Sequence, residues 1–279
     1  MKKSLIALAL VGAFAAPAFA EEAAPAAAEE AKGPHTITAN VGVFSEYRFR
    51  GIAQTASRPA IQGGIDYSHE SGFYIGNWNS NVDSSAGYPD GNIEMDVYGG
   101  YKAAFGDFGL DVGAITYWYP GSSYTPGGKS SSEMVTNKEI YLGGSWKFLS
   151  AKAYYSIDDY FSMRGWDNTG TYNGKSTKGT MYFDLSANFD LGEGWGVNGH
   201  VGYLDMQHAH NGDYTDWKLG VTKDVNGWVF GVSYIGTNAK GDKDDSGTNY
   251  QPYRFTKPGS NYAYDSGKST FVASISRTF

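Results

Sequence analysis

The chain has no cysteine and five histidines among 279 residues, so thiolate chemistry is excluded and metal or general-base chemistry must come from few positions. His208 and His210, two residues apart and without a neighbouring Cys, read as solvated loop residues rather than a zinc site. The run from Asp242 to Gly247 opens like a calcium loop, but its twelfth position is Tyr253, where a bidentate Glu is needed, so it reads as a charged surface turn. Hydrolytic or acyl-transfer chemistry needs a nucleophile beside a base, or paired acids. Of the histidines, His35 precedes the folded part, His69 falls at a turn, and only His200 sits on the polar face of a strand. The expectation is a protein that is not an enzyme and carries no metal or cofactor. What remains is a series of charges on the polar side of an alternating pattern: Glu46, Arg48, Arg50, Glu94, Asp96, Lys102, Glu139, Lys147, Lys152, Asp158, Asp184 and Asp216. Charges so placed can line a water-filled passage and filter ions by field.

That pattern has period two. Ile37, Ala39, Val41 and Val43, with Tyr47 and Phe49 resuming the series, alternate with Thr38, Asn40, Glu46, Arg48 and Arg50. Ile93, Met95 and Val97 alternate with Glu94, Asp96 and Tyr98, and Phe183, Leu185 and Phe189 with Tyr182, Asp184 and Asn188. One side of each strand is oily and the other wet. Twelve strands are expected, near 36–50, 59–69, 73–82, 92–105, 108–119, 138–148, 151–161, 180–190, 195–206, 214–224, 228–238 and 268–279. Tight turns at Ser71-Gly72, Gly106-Asp107, Leu149-Ser150, Gly192-Glu193-Gly194 and Asn226-Gly227 alternate with longer loops. Short turns on one side and long loops on the other are the layout of an outer-membrane barrel, with the turns periplasmic and the loops extracellular. An open sheet would leave two edges unsatisfied in hydrocarbon, so the first strand should close on the last. Phe108, Trp146, Phe148, Trp195, Trp228 and Phe279 mark one interface; Tyr47, Phe49, Trp118 and Trp217 mark the other. The fold class is therefore all-β, a closed antiparallel transmembrane β-barrel of about 12 strands.

The address agrees. Lys2 and Lys3, the apolar run Leu5 to Phe14 and the small residues Ala18-Phe19-Ala20 make a secretory signal, residues 1–20, cleaved after Ala20. Residues 21–35 form an Ala/Glu/Pro-rich periplasmic lead, and residues 36–279 form the barrel. A formal net charge of −7 argues against a nucleic-acid partner. Mean hydropathy of −0.42 is compatible with a barrel, because only alternate residues meet lipid.

Two segments carry a resemblance. The last strand, Phe271 to Phe279, has apolar residues two apart and a terminal aromatic, and resembles the signal that outer-membrane proteins present to the barrel-assembly machinery; Arg277 departs from it. The first hairpin, Ser45-Glu46-Tyr47-Arg48-Phe49-Arg50-Gly51 followed by Arg58-Pro59-Ala60-Ile61-Gln62-Gly63-Gly64, resembles the TorF-like family of outer-membrane porins. That resemblance implies a barrel in the outer membrane of a Gram-negative bacterium and names no substrate.

The functional expectation is a porin passing small hydrophilic solutes by passive diffusion through a narrow channel, acidic on the outside and mildly basic within, with a modest cation preference. The alternative is a plugged structural or recognition barrel acting through its loops. Arg48 and Arg50 beside Glu46 fit either reading, as a charged constriction or as a brace across the wall.

Overall fold

The computed structural model describes residues 33–125, 131–242, 249–256 and 259–279. The signal segment, its cleavage site after Ala20, most of the Ala/Glu/Pro lead and Lys243 to Gly247 of the calcium-like run lie outside them.

Twelve antiparallel strands close into one barrel: β1 His35–Phe44, β2 Ala60–His69, β3 Phe73–Asn81, β4 Ile93–Phe105, β5 Phe108–Tyr124, β6 Glu133–Trp146, β7 Leu149–Ser156, β8 Met181–Gly192, β9 Trp195–Asp205, β10 Tyr214–Val225, β11 Trp228–Thr237 and β12 Thr270–Thr278. Sequential strands pair all the way round, and β1 closes on β12 with Asn40 opposite Thr278 and Phe44 opposite Ser274. Beyond the last ladder pair, the Phe279 amide donates to the Ala39 carbonyl at 2.8 Å, and the Ala39 amide donates back at 3.1 Å. No described helix is long and apolar enough to cross a membrane.

The alternation sets which face is which. Ile65, Val97, Ile140, Leu185, Leu219 and Val232 are exposed on the outside, whereas Tyr98, Glu94, Glu139, Tyr182 and Asp216, one residue out of phase, are buried within. An exterior this continuously apolar does not suit water and does suit acyl chains. Phe108, Trp146, Phe148, Trp195, Trp228 and Phe279 stand on that face at the short-turn end, and Trp118 and Trp217 near the opposite end.

The boundaries differ most from expectation in four places, one being that β7 ends at Ser156 instead of residue 161. The turn between β6 and β7 is at Lys147-Phe148, with Lys147 at φ +55°, so Leu149 and Ser150 already belong to β7. The expected 120–137 loop is largely strand, since β5 runs to Tyr124 and β6 starts at Glu133. The first strand ends at Phe44 instead of residue 50. Beyond it the chain leaves the wall and folds inward, so Tyr47 and Phe49 are buried within the barrel and do not belong to an aromatic belt.

Candidate functional site: the barrel interior

The Ser45 amide makes a last bond to the wall, donating to the Ala273 carbonyl at 2.8 Å. The next residues form a small hairpin, Arg48–Phe49 against Ile52–Ala53, with Arg50 (φ +47°) and Gly51 (φ +78°) at its tip. Gly51 is required twice, since its backbone is left-handed and a Cβ there would press on Asp216 and Thr237. The alternation continues through residues 45–50 in sequence but loses its meaning, because both sides of this hairpin face protein.

From the hairpin the Arg50 side chain crosses the lumen. It donates to both carboxylate oxygens of Glu139 on β6, at 3.0 and 2.7 Å, and to the Tyr160 hydroxyl at 3.2 Å. Its guanidinium lies 4.2 Å from the Tyr182 ring centroid on β8. Both members of the pair are almost wholly buried, so each depends on the other for neutralisation. Arg48 stays closer to home, pairing with Glu46 at 2.8 Å and donating to the carbonyls of Gly51 and Ser266.

Aromatic packing completes the closure of the long-loop end. Phe49 meets Tyr117 and Phe161 edge-on, each at 5.6 Å between centroids, and Tyr47 meets Trp78 at 5.4 Å. Tyr88 stacks on Tyr119 at 3.9 Å. Phe161 enters from the segment between β7 and β8, where it holds φ +48° in the short 3-10 turn Tyr160–Ser162. Three segments outside the wall, before β2, before β4 and before β8, therefore supply the filling of the mouth.

The interior acids sit behind this filling. Glu94 accepts from the Tyr119 hydroxyl at 2.7 Å, and Asp96, two residues along β4, is fully buried with no hydrogen-bond partner on either carboxylate oxygen among the described residues. On β8–β10 the His200 ring bridges two carboxylates, Asp184 at 2.6 Å through Nδ1 and Asp216 at 3.2 Å through Nε2, and the Tyr182 hydroxyl donates to Asp216 at 3.0 Å. Towards the short turns, Lys152 pairs with Asp111 at 2.9 Å, Tyr74 donates to Asp111 at 2.6 Å, and Lys102 lies 4.5 Å over the Tyr74 ring. A cavity of about 50 Å³ lies below the hairpin, walled by Glu46, Arg48, Arg50, Tyr182, His200 and Lys218. That volume has room for a few waters.

Most of the charges expected to line the passage point inward, but two do not. Lys147 sits in the β6–β7 turn with its ammonium 4.9 Å over the outward Trp146 ring, because that turn falls two residues earlier than expected. Asp158 follows the end of β7 and pairs with Lys138 at the surface. Glu94 and Asp96, expected to face the outer lumen, are buried beneath the mouth filling among the described residues. Sequence reading missed the tyrosines as space-fillers, although 22 of them were a signal.

Glycines on neighbouring strands accommodate these rings. A Cβ on Gly202 would collide with the Tyr182 hydroxyl and crowd Asp216, and one on Gly76 would strike Asp66 and the Tyr98 ring. Gly202→Ala should destabilise the barrel by about 1–3 kcal/mol through overpacking, visible as a lower temperature of electrophoretic heat-modifiability. An unchanged transition would show that the Tyr182 ring has room to yield.

Residues 28–279 match the family model described as "Bacterial protein of unknown function (Gcw_chp)". Among solved structures, the chain is similar to the NanC porin, at TM-score 0.50 and 12% identity, covering 88% of this chain and 99% of that one. It is also similar to the KdgM porin, at TM-score 0.49 and 10% identity over 87% and 99% of the two chains. A further likeness is to OmpT of Vibrio cholerae, at TM-score 0.37 and 9% identity over 88% and 97%. No curated protein matches the sequence.

Proposed function

The chain belongs to the Gcw_chp family of bacterial proteins of unknown function, so its activity has to be read from the barrel itself, and we propose that it is an outer-membrane, porin-type channel for small polar solutes. In this reading the short turns face the periplasm, and the mouth at the long loops is closed by the inward hairpin of residues 45–59. The observation that carries it is the latch: beside its aromatic contacts, the hairpin is tied to the opposite wall by one buried charge pair, Arg50 with Glu139, above an interior that stays polar down to the short turns. A charge pair can exchange its partner for water once solvent reaches it, whereas a wholly apolar plug has no such alternative. The resemblance of the first hairpin to TorF-like porins and the fold shared with the NanC porin support the same reading. The outer membrane, export by a cleaved signal, and assembly through the strand ending in Phe279 are parts of this proposal.

When the hairpin withdraws, Glu94, Asp96, Glu139 and Asp216 come to face the lumen, with Arg48 and Arg50 carried away on the moving segment. The freed mouth is acidic, and a narrow low-dielectric tube focuses its field, so cations should pass in preference to anions. In planar bilayers the wild type should give brief, infrequent steps whose reversal potential across a KCl gradient reports cation preference. Glu94→Gln with Asp96→Asn should move that potential towards zero, and raising salt should do the same by screening over about 10 Å at 0.1 M. Anion selectivity in the wild type would overturn the assignment of these carboxylates.

The plugged-barrel alternative is favoured by the density of the aromatic closure around Phe49 and Phe161. It predicts no steps in any variant that still assembles.

A further inference from the structure

The passage leaves Arg277 unexplained. It stands where the terminal strand of an outer-membrane barrel usually has an apolar or aromatic residue, and it is on the outward face of β12, in phase with exposed Phe271 and Phe279. Its guanidinium is 5.4 Å from the Trp228 ring centroid and 5.3 Å from that of Phe279, both outward-facing aromatics at the short-turn end. Lys223, outward on β10 in phase with Leu219 and Val221, repeats the arrangement with its ammonium 4.8 Å over the Trp195 ring.

The two cations lie on either side of β11. Arg277 is opposite Trp228 in the β11–β12 ladder, and Lys223 is opposite Phe230 in the β10–β11 ladder, so the exposed Trp228 and Phe230 rings stand between them. Among the described residues neither cation forms an ion pair; Lys223 donates to the Glu193 carbonyl at 2.5 Å, and the Arg277 Nε is covered and without a partner. The nearby turn carboxylates Asp190 and Asp224 accept from the amides of Gly192 and Gly227. Two positive charges on an acyl-facing surface, held by aromatic rings and in no ion pair among the described residues, call for an anion supplied by the membrane. The height suits it, because interfacial aromatics lie at headgroup level and long basic side chains extend towards the same layer.

We propose that Arg277 receives the phosphate of an anionic phospholipid headgroup at the short-turn rim, with Lys223 adding a second positive charge to that rim and the Trp228 and Phe230 rings seating the acyl chains. Arg277 supplies a planar fork matched to phosphate oxygens, and Lys223, turned towards Trp195, a point charge that raises the positive potential of the same rim. The inference rests on the barrel spanning a membrane and is independent of whether its pore conducts.

The test uses the full-length protein, reconstituted into vesicles and then extracted with an equimolar mixture of phosphatidylglycerol and phosphatidylcholine for native mass spectrometry. The wild type should retain phosphatidylglycerol over phosphatidylcholine by about thirtyfold, as two basic groups near an anionic headgroup imply. Lys223→Gln with Arg277→Gln should retain the two lipids equally, while Lys138→Gln with Lys175→Gln, which removes two charges at the long-loop end, should keep the preference. If the Arg277 variant does not assemble, Lys223→Gln alone should weaken the preference by about fivefold. Equal retention by the wild type, an undiminished preference in the double variant, or equal loss in the control pair would overturn the site while leaving the barrel intact. A wild-type chain that fails to insert into vesicles would overturn the membrane reading and the site together.

Discussion

Arg50→Ala should turn rare, brief conductance steps into sustained ones. The substitution leaves the Glu139 carboxylate, which is 1% exposed, without its cation, and removes the guanidinium from the Tyr182 ring. Stranding a buried charge costs about 3–5 kcal/mol, and the docked hairpin alone bears it, because withdrawal lets water reach Glu139. A shift of about 5.5 kcal/mol changes a two-state ratio by about 10⁴, so even part of that penalty should move the hairpin from mostly docked to mostly free. The measurement is open probability in planar bilayers, with protease nicking between Tyr47 and Arg58 as an independent report of withdrawal. A companion variant separates loss of the latch from general damage. Arg50→Met with Glu139→Leu replaces the pair by apolar side chains of similar size, which in a buried site is close to neutral or stabilising, and should restore the closed state. Persistent silence in Arg50→Ala, with the barrel assembled, would remove the channel proposal in favour of the plugged barrel.

Leu185→Arg should largely abolish assembly into bilayers, whereas Leu191→Arg should leave it near wild type. Both side chains are on the outward face of β8, at 52% and 64% exposure, but Leu185 lies midway along the strand and Leu191 at its short-turn end. A lipid-facing arginine costs about 2–4 kcal/mol at the midplane and about 0–1 near an interface. Folding yield into vesicles, read by heat-modifiability, distinguishes the two. Equal damage at both positions would mean that the apolar belt does not follow membrane depth on this strand.

The identity and number of the strands, their inward and outward faces and the closure of β1 on β12 were legible in the amino-acid sequence, and the reason is local. A strand buried on one side by lipid must repeat with period two, and the tight turns other than Lys147-Phe148 carry their own glycine or asparagine, as at Gly106, Gly194 and Asn226-Gly227. The inward direction of Glu94, Asp96, Glu139, Lys152, Asp184 and Asp216 follows from that same phase. The phase carries no information about what fills the lumen. Residues 45–50 keep the alternation of β1, yet the ladder stops at Phe44 and the hairpin turns in, because Arg50 finds Glu139 some 89 residues away and Phe49 finds Phe161. These partners are distant in sequence and meet only once the wall has closed, so no window of neighbouring residues could display them. Lys223 and Arg277 show the same limit on the outer face. Their residue types were plain from the start, but their flanking of Trp228 and Phe230 exists only through the register of β10, β11 and β12. Period and turn chemistry determine the wall, since each is set by backbone geometry within a few residues. Tertiary closure alone decides the plug, the latch and the rim site, since each requires charges or rings from separate strands to be desolvated together.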